Sequence, residues 1–278
     1  WRACNPQGFA SSNLAPTALD FPQERSDWLE NQCSDRSIGA TIKKTNIFYR
    51  ETEMPATTYK RPLIMAHAGG KGHGRENSVK AILAVNKYRP DIIELDIRKS
   101  KDGFLFCYHG SAPFGLLLGY FLRFLKFSTI LKLLNVTTLA DVLEVTKNCP
   151  IIFCDLWQSN ISSEDILEVS AKFRHLRIWV GSRLSRQIRG LKRLRGIDKI
   201  VYNRSFWNFS KGANLAKEVG ADAIKVFFWQ CSEKTFEQLR NVGVDYAVSS
   251  FLLSKSRYAK LAERWNSLWI HYDSLDGH

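Results

Sequence analysis

From Lys60 onward the chain alternates between two hydrophobic rhythms. Short runs rich in β-branched and aromatic residues read as strands: 62–67 (PLIMAH), 91–97 (DIIELDI), 104–109 (FLFCYH), 150–157 (PIIFCDLW), 176–182 (LRIWVGS), 198–203 (DKIVYN), 222–229 (DAIKVFFW) and 245–250 (DYAVSS). Between most of them apolar residues recur at helical spacing, as in 77–88, 138–147 and 234–243. Strands and helices in alternation predict a parallel sheet with helices outside, and this many repeats predict an α/β fold of the (β/α)₈, or TIM barrel, kind. One link breaks the rule. Residues 98–103 (RKSKDG) are too few for a parallel crossover, and Asp102-Gly103 suits a hairpin turn. The strand at 104–109 should therefore run antiparallel and distort the barrel. Residues 1–60 lack a sustained period and are rich in Pro, Ser, Asn and Thr. They read as an N-terminal extension wrapped on a domain spanning 61–278.

Composition narrows the class. With 45% hydrophobic residues and seventeen Phe, eight Trp and nine Tyr, the chain can bury a sizeable core, which excludes disorder, collagen and coiled coil. A net charge of +13 favours anionic partners without choosing among nucleic acid, acidic lipid and phosphorylated small molecules. The six cysteines contain no CxxC, so a thiolate metal site is not expected. Cys107 and Cys154 sit in apolar runs as buried thiols, while Cys4 and Cys33 lie in the leader, where a disulfide would point to an oxidising compartment.

Candidate chemistry concentrates at strand ends. Glu94 and Asp96 are two apart, so on a strand they share a face. Two carboxylates on one face of an apolar strand need a salt-bridge partner or a hard cation such as Mg²⁺ or Ca²⁺. His67, His109 and Asp155 end three other strands, on the side where such barrels place their active sites. A histidine pair can divide into nucleophile or base and acid, because imidazole changes charge near neutral pH. His73 reads as a solvated loop histidine, and His175, His271 and His278 have no supporting neighbours.

These segments resemble the glycerophosphodiester phosphodiesterases, members of the phospholipase-C-like barrel group. HAGGKGHGREN (67–77), ELD (94–96), KDG (101–103), YHG (108–110), TLADVL (138–143), FWQCS (228–232) and GVDYAVSS (243–250) are similar to the family's motifs and occur in the same order. The resemblance implies His67 and His109 as the catalytic pair and Glu94, Asp96 and Asp155 as ligands of one divalent metal ion, Mg²⁺ or Ca²⁺. It places Glu76 along the site, with Asn77 capping the next helix. Lys225, Trp157 and Trp229 are further candidates for substrate contact. Three positions depart from the family: Ala68 stands where it has Arg, Asp155-Leu156-Trp157 where it has ExK, and His109-Gly110 where it has His-Asp. Replacement cations could be Lys71, Lys225, Arg183 or Arg204. YHG also resembles the spider-venom sphingomyelinase D group, which cleaves lipid head groups with two histidines and one metal.

Residues 113–134 (PFGLLLGYFLRFLKFSTILKLL) form an apolar run as long as a membrane span, but Arg123, Lys126 and Lys132 interrupt it. It reads as a hydrophobic lid or interfacial helix carrying Leu117, Leu118, Phe121 and Phe124, or as a buried helix pair. Arg183, Arg186, Arg189, Lys192 and Arg193 recur at helical spacing as a basic face. The resulting expectation is a metal-dependent phosphodiesterase acting on a glycerophosphodiester or on a phospholipid or lysophospholipid head group. Its partners would be that substrate and a membrane surface, with no nucleic acid or protein partner, in a secreted, periplasmic or membrane-associated setting. The rival expectation is an inactive barrel that binds lipid or head group.

Overall fold

The computed structural model describes residues 61–110, 114–146, 151–173, 175–192, 196–203, 209–249 and 253–276. All fall in the compact unit Thr58–His278. The expectations placed on residues 1–60, with Cys4 and Cys33, and on Arg193 and Arg204 lie outside the described residues.

Eight strands run parallel: β1 (Leu63–Ala66), β2 (Ile92–Lys99), β5 (Ile151–Leu156), β6 (Arg177–Ser182), β7 (Lys199–Tyr202), β8 (Ala223–Phe227), β9 (Asp245–Ser249) and β10 (Trp269–Tyr272). Their order is β10-β1-β2-β5-β6-β7-β8-β9. Across the last seam, between β9 and β10, Leu268 N donates to Tyr246 O at 2.9 Å and Val248 N donates to Ser267 Oγ at 2.9 Å. This is the expected distorted α/β barrel. Its distortion sits at the expected hairpin, where β3 (Leu105–Cys107) pairs antiparallel to β2 with Ile97 opposite Cys107, and β4 (Thr137–Thr138) pairs antiparallel to β3. Gly103, at φ +94°, closes that turn in the left-handed region.

Helices follow the strands: α1 (Val79–Asn86), α2 (Phe114–Phe121), α3 (Phe127–Leu134), α4 (Leu139–Val145), α5 (Ser163–Ser170), α6 (Ser185–Leu191), α7 (Phe209–Val219), α8 (Glu233–Val242) and α9 (Lys255–Arg264). Hydroxyls set several starts. Ser78, Thr138, Ser162 and Ser232 each accept a backbone N–H three residues on, and Ser162 completes a capping box with Asp165. The helix at 79–86 is thus capped by Ser78 rather than by Asn77, whose side chain is committed elsewhere.

Strand parity then sorts the core into two layers. Ile93, Leu95 and Ile97 of β2, Ile152, Cys154 and Leu156 of β5, and Ile178 and Val180 of β6 join one buried cluster with the helices. Residues of the other parity, Leu63, Met65, Ile92, Ile151, Phe153, Trp179, Val201, Ala223, Ala247, Leu268 and Trp269, form a second cluster that plugs the barrel interior. Each fully buried aliphatic side chain here contributes roughly 1.5–3 kcal/mol. Continuing the interior parity toward the strand C-termini gives Met65→His67, Ile92→Glu94→Asp96, Phe153→Asp155, Val201→Asn203, Ala223→Lys225 and Trp269→His271→Asp273. Every one is polar. The period that packs the floor also builds the mouth.

Candidate active site

Glu94, Asp96 and Asp155 are all buried, at 5%, 1% and 5% exposure, and each offers a carboxylate oxygen within 4.8 Å of the others. Register explains the closeness, because Asp96 and Asp155 are direct partners across the β2–β5 pair. Each carboxylate is held. Glu94 Oε2 accepts from Ala68 N at 2.6 Å. Asp96 accepts from Asn77 Nδ2 (2.9 Å) and Trp157 Nε1 (2.7 Å), while its own N–H donates to Asn77 Oδ1 at 3.2 Å. Asp155 Oδ2 accepts from Asn203 Nδ2 at 2.6 Å, and Asp155 Oδ1 is buried without a hydrogen-bond partner.

Three carboxylates so close disfavour joint ionisation. Burial, then the field of Asp96, pushes Glu94 up to about 8, and burial with the same neighbour raises Asp155. A hard divalent cation fits this donor set: all oxygen, crowded, negatively charged, with one acceptor left orphaned. Glu94, Asp96 and Asp155 would hold it.

Two imidazoles flank the cluster. His67 opens the 3₁₀ turn His67–Gly69 directly after β1, and His109 follows β3. Their ring centroids are 5.5 Å apart at 81°. His67 Nδ1 donates to Asp273 Oδ1 at 2.7 Å, which leaves Nε2 as the nitrogen available for chemistry. Burial alone would lower the basicity of His67, but the Asp273 hydrogen bond and the fields of Glu94 and Asp96 prevail and lift it to about 9. The same contact, chiefly the hydrogen bond, holds Asp273 down at about 2. His109 Nδ1 stands 3.3 Å from Glu76 Oε2, whose other oxygen is 3.1 Å from Lys71 Nζ. Glu76 thus neighbours the second imidazole, and both line a small cavity with Tyr108 and Gly110.

The loop between β1 and α1 is shaped for this. Ala68 adopts φ +45°, and its N–H and C=O are both used, toward Glu94 and Asn77 N (2.8 Å). Gly70, at φ +82°, passes so close to Val85 that a Cβ would meet it at 2.9 Å. The chain beyond β10 clasps the same loop. Leu275 N donates to His73 Nε2 at 3.0 Å, so His73 is a packed residue and not the solvated one expected. His271, expected to be isolated, lies on β10 with its ring 5.4 Å from His67. Burial, with His67 and Lys225 nearby, pushes it down to about 3.

Lys225 lies on β8 among the same acids. Burial lowers its basicity while Asp155 works against that loss. Arg183 stacks its guanidinium 4.0 Å from the Trp157 ring centre, and Trp157 lies 6.1 Å from the His109 ring. Trp229 is half exposed on a turn after β8 and stacked on Phe227 at 4.4 Å. Leu117, Leu118, Phe121 and Phe124 are exposed on α2 and the turn after it. Sequence reasoning did not single out Asp273, His271, Asn77 as a carboxylate partner, or Asn203.

Comparison with known proteins agrees with the resemblance read from the motifs. Residues 67–115 match the sequence model of the Glycerophosphoryl diester phosphodiesterase family. No curated protein matches the chain by sequence. Solved structures share the fold at low identity. A glycerophosphodiester phosphodiesterase from Thermotoga maritima is 20% identical with a TM-score of 0.59, over 77% of this chain and 95% of that one. One from Parabacteroides distasonis is 14% identical with a TM-score of 0.59, over 76% and 92%. An Oleispira antarctica phosphodiesterase, solved with the product sn-glycerol-3-phosphate, is 16% identical with a TM-score of 0.62, over 76% and 93%.

Proposed function

Taking as premise a chain that carries the glycerophosphoryl diester phosphodiesterase signature on that family's fold, we propose that this protein is a metal-dependent phosphodiesterase cleaving a glycerophosphodiester or a phospholipid or lysophospholipid head group. The observation that carries the reading is the buried Glu94–Asp96–Asp155 cluster beside two imidazoles 5.5 Å apart. A divalent cation bound there supplies charge neutralisation and orientation for the phosphodiester.

The remaining work falls to side chains of the chain. Lys225 and Arg183 bind phosphoryl oxygens, in place of the cation lost at Ala68. His67, held by Asp273 through Nδ1, presents Nε2. In its unprotonated form that Nε2 takes the proton from the attacking oxygen. The bond from phosphorus to the leaving oxygen breaks, and His109 gives that oxygen its proton. Water as the attacker yields a monoester and an alcohol. A neighbouring substrate hydroxyl as the attacker yields a cyclic phosphate.

The test is product release from glycerophosphocholine, lysophosphatidylcholine, phosphatidylglycerol and sphingomyelin with Mg²⁺, Ca²⁺ or EDTA, read by ³¹P NMR. Cleavage that needs the cation and disappears in His67→Ala supports the reading. Cation-independent turnover, or turnover that survives the substitution, overturns it.

A further inference from the structure

The exposed apolar surface of this protein is concentrated in one place. Seven of the eleven exposed large hydrophobic side chains among the described residues lie within residues 114–133, and Phe114 is the most exposed at 82%. Scattered exposed apolar residues need no explanation, but a contiguous set of aromatics and leucines does. The segment is not loosely attached. Leu122, Phe127 and Ile130 are buried with Phe106 of β3. Gly119 lies so close to Arg98 that a Cβ there would fall 2.5 Å from the guanidinium carbon, and its carbonyl accepts from Gln158 Nε2 at 3.1 Å. One face is therefore packed on the barrel and the other is bare.

Charge identifies what suits the bare face. From residue 103 to residue 140 there is no Asp or Glu, while Arg123, Lys126 and Lys132 interrupt the apolar run. Lys126 and Lys132 are exposed, and Arg123 lies over the rings of Tyr120 and Phe124 at 3.8 and 4.6 Å, its apolar stem shared with the patch. Apolar side chains ringed by cations complement a bilayer surface of anionic head groups. A second copy packed symmetrically on this face would oppose cation to cation. No helix among the described residues is long and apolar enough to cross a membrane. The fit is to lying in the interface, not spanning it.

We propose that α2, the turn 122–124 and α3 form a membrane-docking face, with Phe114, Leu117, Phe121 and Phe124 entering the acyl boundary and Lys126 and Lys132 meeting lipid phosphates. The face is continuous with the mouth of the barrel, because Arg98, which touches Gly119, also donates to the carbonyls of Tyr108 (3.1 Å) and His109 (3.4 Å). Docking needs no turnover. That it hands a lipid diester to His67 rests on the phosphodiesterase reading.

Co-sedimentation of the full chain with phosphatidylcholine vesicles, with and without phosphatidylglycerol, tests docking apart from catalysis. The chain should sediment with the anionic vesicles, and less so as salt rises. Leu117→Ser, Phe121→Ser and Phe124→Ser together should lower partitioning at least about tenfold. Lys126→Gln with Lys132→Gln should lower it about tenfold on anionic vesicles and little on neutral ones. Phe114→Ser alone, at a side chain with little packing to lose, covers the case in which the triple variant does not fold. Undiminished binding by the Ser variants overturns the proposal. So does light scattering that finds a dimer which the same substitutions turn into monomers.

Discussion

His67 and Asp273 lie 206 residues apart in the chain, yet they meet side by side just past the paired ends of β1 and β10, with Nδ1 2.7 Å from Oδ1. The contact fixes the tautomer and orientation of the imidazole, and it joins the first loop of the barrel to the chain beyond the last strand. Asp273 touches no reacting atom in this arrangement. It is a positioning residue.

Asp273→Asn should therefore lower kcat/KM by about ten- to a hundredfold without unfolding the protein, a smaller loss than that of His67→Ala. A purely structural role would lower the melting temperature as well. The distinguishing readout is the His67 imidazole titration, followed by NMR in EDTA-treated protein. It should move down from about 9, because the largest influence raising it is gone. An unmoved titration would show that the carboxylate does not hold the ring.

The acidic cluster predicts a stability signature. A cation that binds only the folded state adds about 2.7 kcal/mol at a hundred times its dissociation constant, roughly 5–10 °C in melting temperature for a domain of this size. Mg²⁺ or Ca²⁺ should thus raise the melting temperature of the wild type. Glu94→Gln and Asp155→Asn should lose most of that increment, yet melt no lower than wild type in EDTA, since each replaces a carboxyl that burial and its neighbours already push toward the neutral form. Differential scanning calorimetry with and without EDTA reads both.

Much of the fold could be read along the chain because a single physical cue repeats. Runs such as IIELDI and IIFC carry the outer core on one parity and the barrel floor on the other, and the two-residue step from Glu94 to Asp96 marks where the floor gives way to the mouth. The motif order around His67 and His109 carried the family. What escaped was nonlocal. β10, within residues 269–272, is a short strand with weak alternation, so His271 and Asp273 gave no local sign of facing His67. An Asn beside Ser suits either a helix cap or a side-chain partner; only the fold decides that Ser78 caps and Asn77 pairs with Asp96. The apolar character of 113–134 was plain, but which side faces the barrel depends on Gly119 meeting Arg98.

His271 makes acid stability testable. Its ring sits deep in the barrel mouth and its folded-state value is depressed to about 3, against an ordinary 6.5. The unfolded chain therefore binds a proton that the folded one refuses, and this share of stability is intact above pH 6.5 and lost as pH falls toward 3. The slope is about 1.4 kcal/mol per pH unit for one group, less whatever exposure the ring retains. His67 acts in the other direction: its raised value stabilises the fold below pH 6.5, and the contribution fades as pH rises toward 9. In metal-free protein Glu94, raised to about 8 from an ordinary 4.5, also weakens the fold as pH rises, so it offsets His271 between pH 4.5 and 6.5 and stability should fall clearly only above pH 6.5. His271→Gln should flatten the acid side of urea-midpoint curves and leave the alkaline side alone.

Ala68 has no side chain to neutralise a phosphoryl oxygen, so the chain must find that charge elsewhere if it turns over a diester. Lys225 is the best placed cation, since it lies on the interior face of β8 among Asp155, Glu94 and Asp96. Arg183 is braced by Trp157, whose indole is itself held by Asp96 at 2.7 Å. Losing a preorganised charge at a transferring phosphoryl group costs about 10²–10³ in kcat. Lys225→Met should show a loss of that order in kcat with KM little changed, if the charge acts mainly on the transition state. Arg183→Lys keeps a cation but forfeits the planar stack, so it should raise KM for every diester and affect kcat less. Steady-state kinetics on one turned-over diester separates the two. An unchanged kcat in Lys225→Met would show that its charge does not act on the transition state.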